Sequence, residues 1–172
     1  MKKNFVILFL IICLSLLFCL FFCLFFFENT LFLKLGEFSF LSLHQNGLAK
    51  ILLNNDTDED NYKYYLLGRI NFIDGSLLTS IDDYNQAVKI NPDFKEIYYG
   101  LGLDYGFLGK LFLDDALINF QKYVDLEKLE FQKTGTHAYG AWAGYNDLAW
   151  IYFQQEKLKE AKEVLNSGLS FS

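Results

Sequence analysis

Tyr64-Tyr65-Leu66-Leu67-Gly68, Tyr98-Tyr99-Gly100-Leu101-Gly102 and Tyr145-Asn146-Asp147-Leu148-Ala149 share one pattern: a tyrosine, a leucine three residues on, and then a small residue. The second stretch lies 34 residues after the first, and the third 47 after the second. Positions i, i+3 and i+4 share one face of a helix, so each stretch reads as a helix whose inward face ends in a gap for a neighbour. A second set follows each one. It reads Ser80, Tyr84, Ala87 in the first copy, Ala116, Phe120, Tyr123 in the middle copy, and Ala161, Leu165, Gly168 in the third. Ser80 stands thirteen residues after Leu67 and Ala161 thirteen after Leu148, but Ala116 stands fifteen after Leu101. The middle copy therefore carries an enlarged turn or a register shift near Leu111–Leu113. Short turns separate the two sets: Asp74-Gly75-Ser76, Leu108-Gly109-Lys110 and Gln155-Glu156-Lys157. Asn91-Pro92 closes the first copy before the next helix begins.

Each copy is thus two helices joined by a turn. Gly68, Gly102 and Ala149 let the first helix approach the second, where Ser80, Ala116 and Ala161 are the small partners. Tyr64, Tyr98 and Tyr145, with Tyr84, Phe120 and Leu165, fill the remaining volume. One helix pair cannot bury its apolar face alone, whereas three stacked pairs form a continuous core. The 34-residue period and these residues resemble the tetratricopeptide repeat, over about residues 61–94, 95–133 and 142–172. An insertion of about residues 127–141, ending in Thr134-Gly135-Thr136-His137, separates the last two copies. The chain ends at Ser172 without the polar capping helix common in such arrays, so an apolar side of the last helix (Leu158, Val164, Leu165, Leu169) is expected to lack cover.

Upstream, Phe5 to Phe27 is a run of 23 residues without a charge, preceded by Lys2 and Lys3 and followed by Glu28. As a helix it spans roughly 34 Å, enough for a hydrocarbon core of about 30 Å. Its end, Phe25-Phe26-Phe27-Glu28, is bulky where a signal peptidase needs small residues, and Phe18 and Phe22 precede Cys19 and Cys23 where a lipoprotein needs a small one. The segment reads as an uncleaved anchor, with residues 1–4 cytoplasmic and the rest extracytoplasmic by the positive-inside rule. Residues 28–60 read as juxtamembrane helices and an acidic linker. Leu31, Leu35, Phe38, Leu41, Leu48, Ile51 and Leu52 follow a loose helical spacing, and the stretch lies either against the array or against the bilayer interface. The expected fold is all-α: a transmembrane helix at 5–27, then a short α-solenoid of about three helix pairs over 61–172.

Function classes narrow by charge and by missing chemistry. Residues 28–172 hold all 21 acids and 13 of the 15 basic residues, a net charge of −8, which disfavours nucleic acid and anionic membrane surfaces. All three cysteines fall inside the apolar run, so the remainder has neither a disulfide nor a thiol metal site. Asp56-Thr57-Asp58-Glu59-Asp60-Asn61 imitates a calcium loop, but Asn61 stands where the turn needs glycine and Leu67 where the bidentate Glu belongs. Its acids suit the free N–H groups at a helix start. His44 and His137 lie far apart, and His137 reads as a surface residue or cap. No catalytic residue, cofactor or metal is implied, and the chain reads as no enzyme.

The resemblance implies a concave face lined by the first helix of each copy. By matching position its residues are Tyr65, Arg69 and Phe72, then Tyr99 and Leu103, then Asn146, Trp150 and Phe153. Family members that clamp a peptide's carboxylates use lysines and asparagines there. Only Arg69 and Asn146 are of that type, so burial of apolar side chains is the expected use. The same aromatics also read as core, or as a surface covered by residues 29–55. Two functions follow. The first is a membrane-tethered interaction module (adaptor, scaffold or chaperone-like) that holds a partner segment in an aromatic groove. The second is a structural subunit of an envelope or membrane assembly, oligomerising, for instance as a homodimer, through its last helix and transmembrane segment.

Overall fold

The structure is a computed structural model and describes residues 31–138 and 140–169. The N-terminal tail of residues 1–4 and the expected transmembrane helix of residues 5–27 lie outside the described residues. No described helix is long and apolar enough to cross a membrane. The described residues are helical, without strands, and the chain divides into two compact units, Met1–Asp58 and Glu59–Ser172.

In the first unit, α1 (residues 31–41) and α2 (Asn46–Asn55) are the helices that the 29–55 stretch predicted. The buried face is different from the one the spacing indicated. Leu31, Leu35, Phe38, Leu41, Leu48 and Ile51 are exposed, whereas Phe40, Ala49 and Leu53 are buried. The pivot is Gly36, where a Cβ would stand 2.7 Å from Leu53 Cγ. Its missing side chain, rather than the leucines around it, selects the packed face. Asp56 Oδ1 accepts from the Asp58 amide at 3.1 Å and shapes the turn at the end of the unit.

The second unit runs α3 (Asn61–Ile73), α4 (Leu77–Ile90), α5 (Lys95–Leu108), a 3-10 turn (Lys110–Phe112), α6 (Leu113–Thr134), α7 (Ala141–Gln154) and α8 (Leu158–Leu169). Each helix packs on the next, and α3 also meets α5. Asp60 caps α3, its carboxylate accepting from the Tyr62 amide at 2.9 Å. The 3-10 turn absorbs the two extra residues of the middle copy.

Paired helices close on the small residues. A Cβ at Gly68 would stand 2.6 Å from the Tyr84 ring, and one at Gly102 2.7 Å from the Phe120 ring. Ser80, Ala87, Leu67, Leu101, Ala116, Leu148, Ala149 and Ala161 are buried beside them, and Tyr64 and Tyr98 are half-buried. Pro92 is exposed at its boundary, where its carbonyl accepts from Tyr98 Oη at 2.9 Å. Leu165 departs from its expected role. It is 42 % exposed, and Val164 packs on the core in its place. The two are neighbours in sequence and about 100° apart round the helix, so the β-branched side chain, not the leucine, faces the core cluster that holds Tyr145.

Two buried carboxyl groups punctuate the array. Asp104 of α5 is fully buried, and its Oδ2 lies 2.7 Å from Ser80 Oγ, which also lies 2.8 Å from the Gly68 carbonyl. Burial pushes the Asp104 carboxyl up to about 7, with the Ser80 hydroxyl opposing. Glu127 of α6, also fully buried, pairs with Lys95 at the start of α5, which pairs in turn with Glu130. The second Glu127 oxygen accepts from the Ala138 amide at 3.0 Å and contacts His137 Nδ1 at 3.2 Å. Burial alone would raise the Glu127 carboxyl, but Lys95, the amide and His137 together hold it below its ordinary range. The predicted insertion is therefore largely a helical extension of α6 to Thr134, followed by a loop pinned to Glu127. His137 is a strut of that loop, its ring stacked on Phe131 at 3.9 Å.

Candidate protein-binding groove

Between α5 and α7 the second unit leaves a cavity of about 700 Å³. α5 contributes Gly102, Leu103, Gly106 and Phe107; α6 contributes Leu113 and Phe120; α7 contributes Asp147, Trp150, Ile151 and Gln154. Gly109, Lys110 and Glu156, from the flanking turns, complete the lining. The space exists in part because α5 presents glycine at 106, whereas the gap at Gly102 is taken by the Phe120 ring. A Cβ at Gly106 would meet nothing nearer than Ile151 Cδ1 at 3.9 Å, so the helix tolerates a side chain there and the groove would be filled by one.

The rim is aromatic and solvated. Phe107 is 70 % exposed and Trp150 56 %. Phe107 meets Phe72 edge-on at 5.4 Å, and Trp150 stacks on Phe153 at 5.6 Å. Large rings left in water beside a cavity mark an interaction surface. The main polar group of the wall is Asp147, whose Oδ2 accepts from Tyr99 Oη at 2.9 Å. The Tyr99 ring is held by Phe120 at 5.8 Å and Tyr123 at 5.4 Å. Burial raises the Asp147 carboxyl, and the Tyr99 hydrogen bond partly offsets this.

The cavity unites two of the eight residues expected in the groove, Leu103 and Trp150. Tyr99 stands behind it as the donor to Asp147, and Phe72 and Phe153 flank it through their ring partners. Tyr65 and Arg69 sit apart, on α3. Tyr65 packs among Tyr62, Tyr84 and Phe94, with the Arg69 guanidinium 5.6 Å over its ring. Asn146 is exposed and does not line the cavity. Sequence reasoning missed Gly106, Phe107, Asp147 and Ile151. The signal was present: Leu103, Gly106, Phe107 and Asp147, Trp150, Ile151, Gln154 keep helical spacings, one position round from the expected face.

A family model described as TPR repeat matches residues 64–109, and one described as tetratricopeptide repeat matches residues 143–172. The chain is a tetratricopeptide-repeat protein. Over 89 residues it is 29 % identical to the bifunctional protein GlmU of Acaryochloris marina (strain MBIC 11017), covering 52 % of this chain and 18 % of that protein. The chain thus spans less than a fifth of that curated relative. A crystal structure of MamA matches with a TM-score of 0.71 at 23 % identity, covering 86 % of this chain and 81 % of that one. A second MamA structure matches at 0.68 and 22 %, covering 81 % and 70 %. At these identities the likeness is one of fold. A repeat array of this kind is a protein–protein interaction module, and its partners are proteins.

Proposed function

We propose that the groove between α5 and α7 holds an apolar segment of a partner protein at a membrane surface. The observation that carries this reading is the cavity of about 700 Å³ rimmed by exposed Phe107 and Trp150. Covering such rings removes apolar area from water at about 25 cal/mol per Å². The tether is the uncharged run 5–27, and Lys2 and Lys3 support a cytoplasmic N-terminus with residues 28–172 on the other side. Gly106→Phe fills the groove from within and Trp150→Ala strips its rim. The full chain, photo-cross-linked in its native membrane, should capture a defined protein that both variants lose, with unfolding temperatures within a few degrees of wild type. Equal capture by all three would refute the groove.

A structural-subunit reading has its own observation. On α8, Leu158 is 62 % exposed, Leu165 42 % and Leu169 69 %, an apolar stripe suited to a second copy. Light scattering of the solubilised full chain over a range of concentrations should then give twice the chain mass. A concentration-independent monomer refutes this second reading and leaves the groove reading intact.

A further inference from the structure

Resting on that groove reading, we infer that the segment it selects carries a lysine or arginine among its apolar side chains, and that the Asp147 carboxylate receives the cation. Asp147 lies in the middle of α7, on the cavity wall, with Trp150 and Ile151 one turn along and Leu103 and Phe107 on the facing helix. A carboxylate among such surfaces loses hydration, and burial is the main influence on it. Its protein partner among the described residues is neutral: the Tyr99 hydroxyl at Oδ2, with no lysine or arginine acting on it. A groove built only for apolar side chains gains nothing from an acid at this point. A groove that reads a cation gains a charge-assisted hydrogen bond in a place sheltered from water.

The surroundings fit the same ligand. Tyr99 is wedged between Phe120 and Tyr123, so its hydroxyl holds one oxygen of this cavity-lining carboxylate in a fixed direction. Among the lining residues the charges are Asp147, Glu156 and Lys110, an excess of one negative, and residues 28–172 carry −8. Trp150 and Phe107 offer exposed ring faces, the best surface on which to lay a guanidinium or an ammonium stem. A carboxylate-bearing ligand would meet Asp147 as a like charge. The polarity is the reverse of a carboxylate clamp.

The test uses the full chain in discs of neutral lipid on a spotted array of random nonapeptides with blocked ends. Gly106→Phe in identical discs is the blank, because it fills the groove without changing any charge. Asp147→Asn keeps an acceptor for Tyr99 and removes the charge; Glu163→Gln, on exposed α8, removes a charge elsewhere. Peptides held by wild type above the blank should be enriched at least threefold in Lys or Arg. Asp147→Asn should lose that enrichment, weakening basic peptides about tenfold and neutral ones less than twofold, while Glu163→Gln should match wild type. Bound peptides without enrichment, enrichment that survives Asp147→Asn, or equal loss in Glu163→Gln each overturn the inference while the groove stands. No binding above the blank overturns the groove reading, and the inference falls with it.

Discussion

Ser80 Oγ has one proton and two oxygen neighbours that accept: the Gly68 carbonyl at 2.8 Å and Asp104 Oδ2 at 2.7 Å. If the hydroxyl donates to Gly68, the second contact is a hydrogen bond only when Asp104 carries a proton and donates it to Ser80. The other Asp104 oxygen is buried without a hydrogen bond, which also favours the neutral acid. The Asp104 carboxyl stands at about 7 in the folded chain against its ordinary 3.8. Between these values the folded chain binds the extra proton, so stability falls as pH rises, by about 4 kcal/mol in all once pH exceeds both. About 3 kcal/mol of that falls between pH 5 and pH 8. Asp104→Asn removes the titration, and its amide can donate to Ser80 as the protonated acid does. Thermal unfolding of both full-length chains should show the variant gaining about 3 kcal/mol on wild type from pH 5 to pH 8, a shift of several degrees. Curves that stay parallel across that range would refute the shared-proton arrangement.

Glu127→Ala leaves Lys95 buried without its main counter-charge and frees the Ala138 amide, so it should cost about 3–5 kcal/mol in denaturant unfolding at pH 7. Gly102→Leu drives a side chain into the Phe120 ring and should cost about 1–3 kcal/mol despite its better helix propensity, read as a lower urea midpoint. Gly106→Ala has room for its Cβ and should instead raise stability by about 0.5–1 kcal/mol in the same titration. Intact-mass measurement of membrane-extracted protein should find residues 1–27 retained; a mature species beginning near Glu28 would show that the run is removed.

The helix pairs were legible because their contacts are local and repeated. Gly68 against Tyr84 and Gly102 against Phe120 recur at nearly fixed spacing, so tertiary packing is written as periodicity. The same contact between Gly36 and Leu53 was illegible, since Leu53 lacks a ring and six exposed apolar residues crowd the opposite faces. Buried charge was the harder thing to read. Lys95, Glu127 and His137 meet across 42 residues, and nothing in the spacing couples them. Asp147 stands one position round α7 from Asn146, the residue that the repeat register marks. A face rotated by one residue keeps its aromatics in view and hides its acid.

Asp104 and Glu127 sit in different parts of the array and respond to protons with opposite sign. Asp104 ties α4 to α5 and strengthens its region as pH falls toward 4. Glu127, held below the ordinary range, ties α5 and α6 to the loop before α7, and its contribution is lost as pH falls through its folded value. In a quasi-one-dimensional chain, neighbouring units open with their own free energies. Acid strong enough to protonate Glu127, below the ordinary carboxylate range, would therefore leave the first pair protected against hydrogen exchange while the amides of α7 and α8 begin to exchange. The groove lies on that boundary, with one wall on α5 and the other on α7. Its two walls thus answer to different ends of the pH scale, and a captured segment would be released by the loosening of one wall alone.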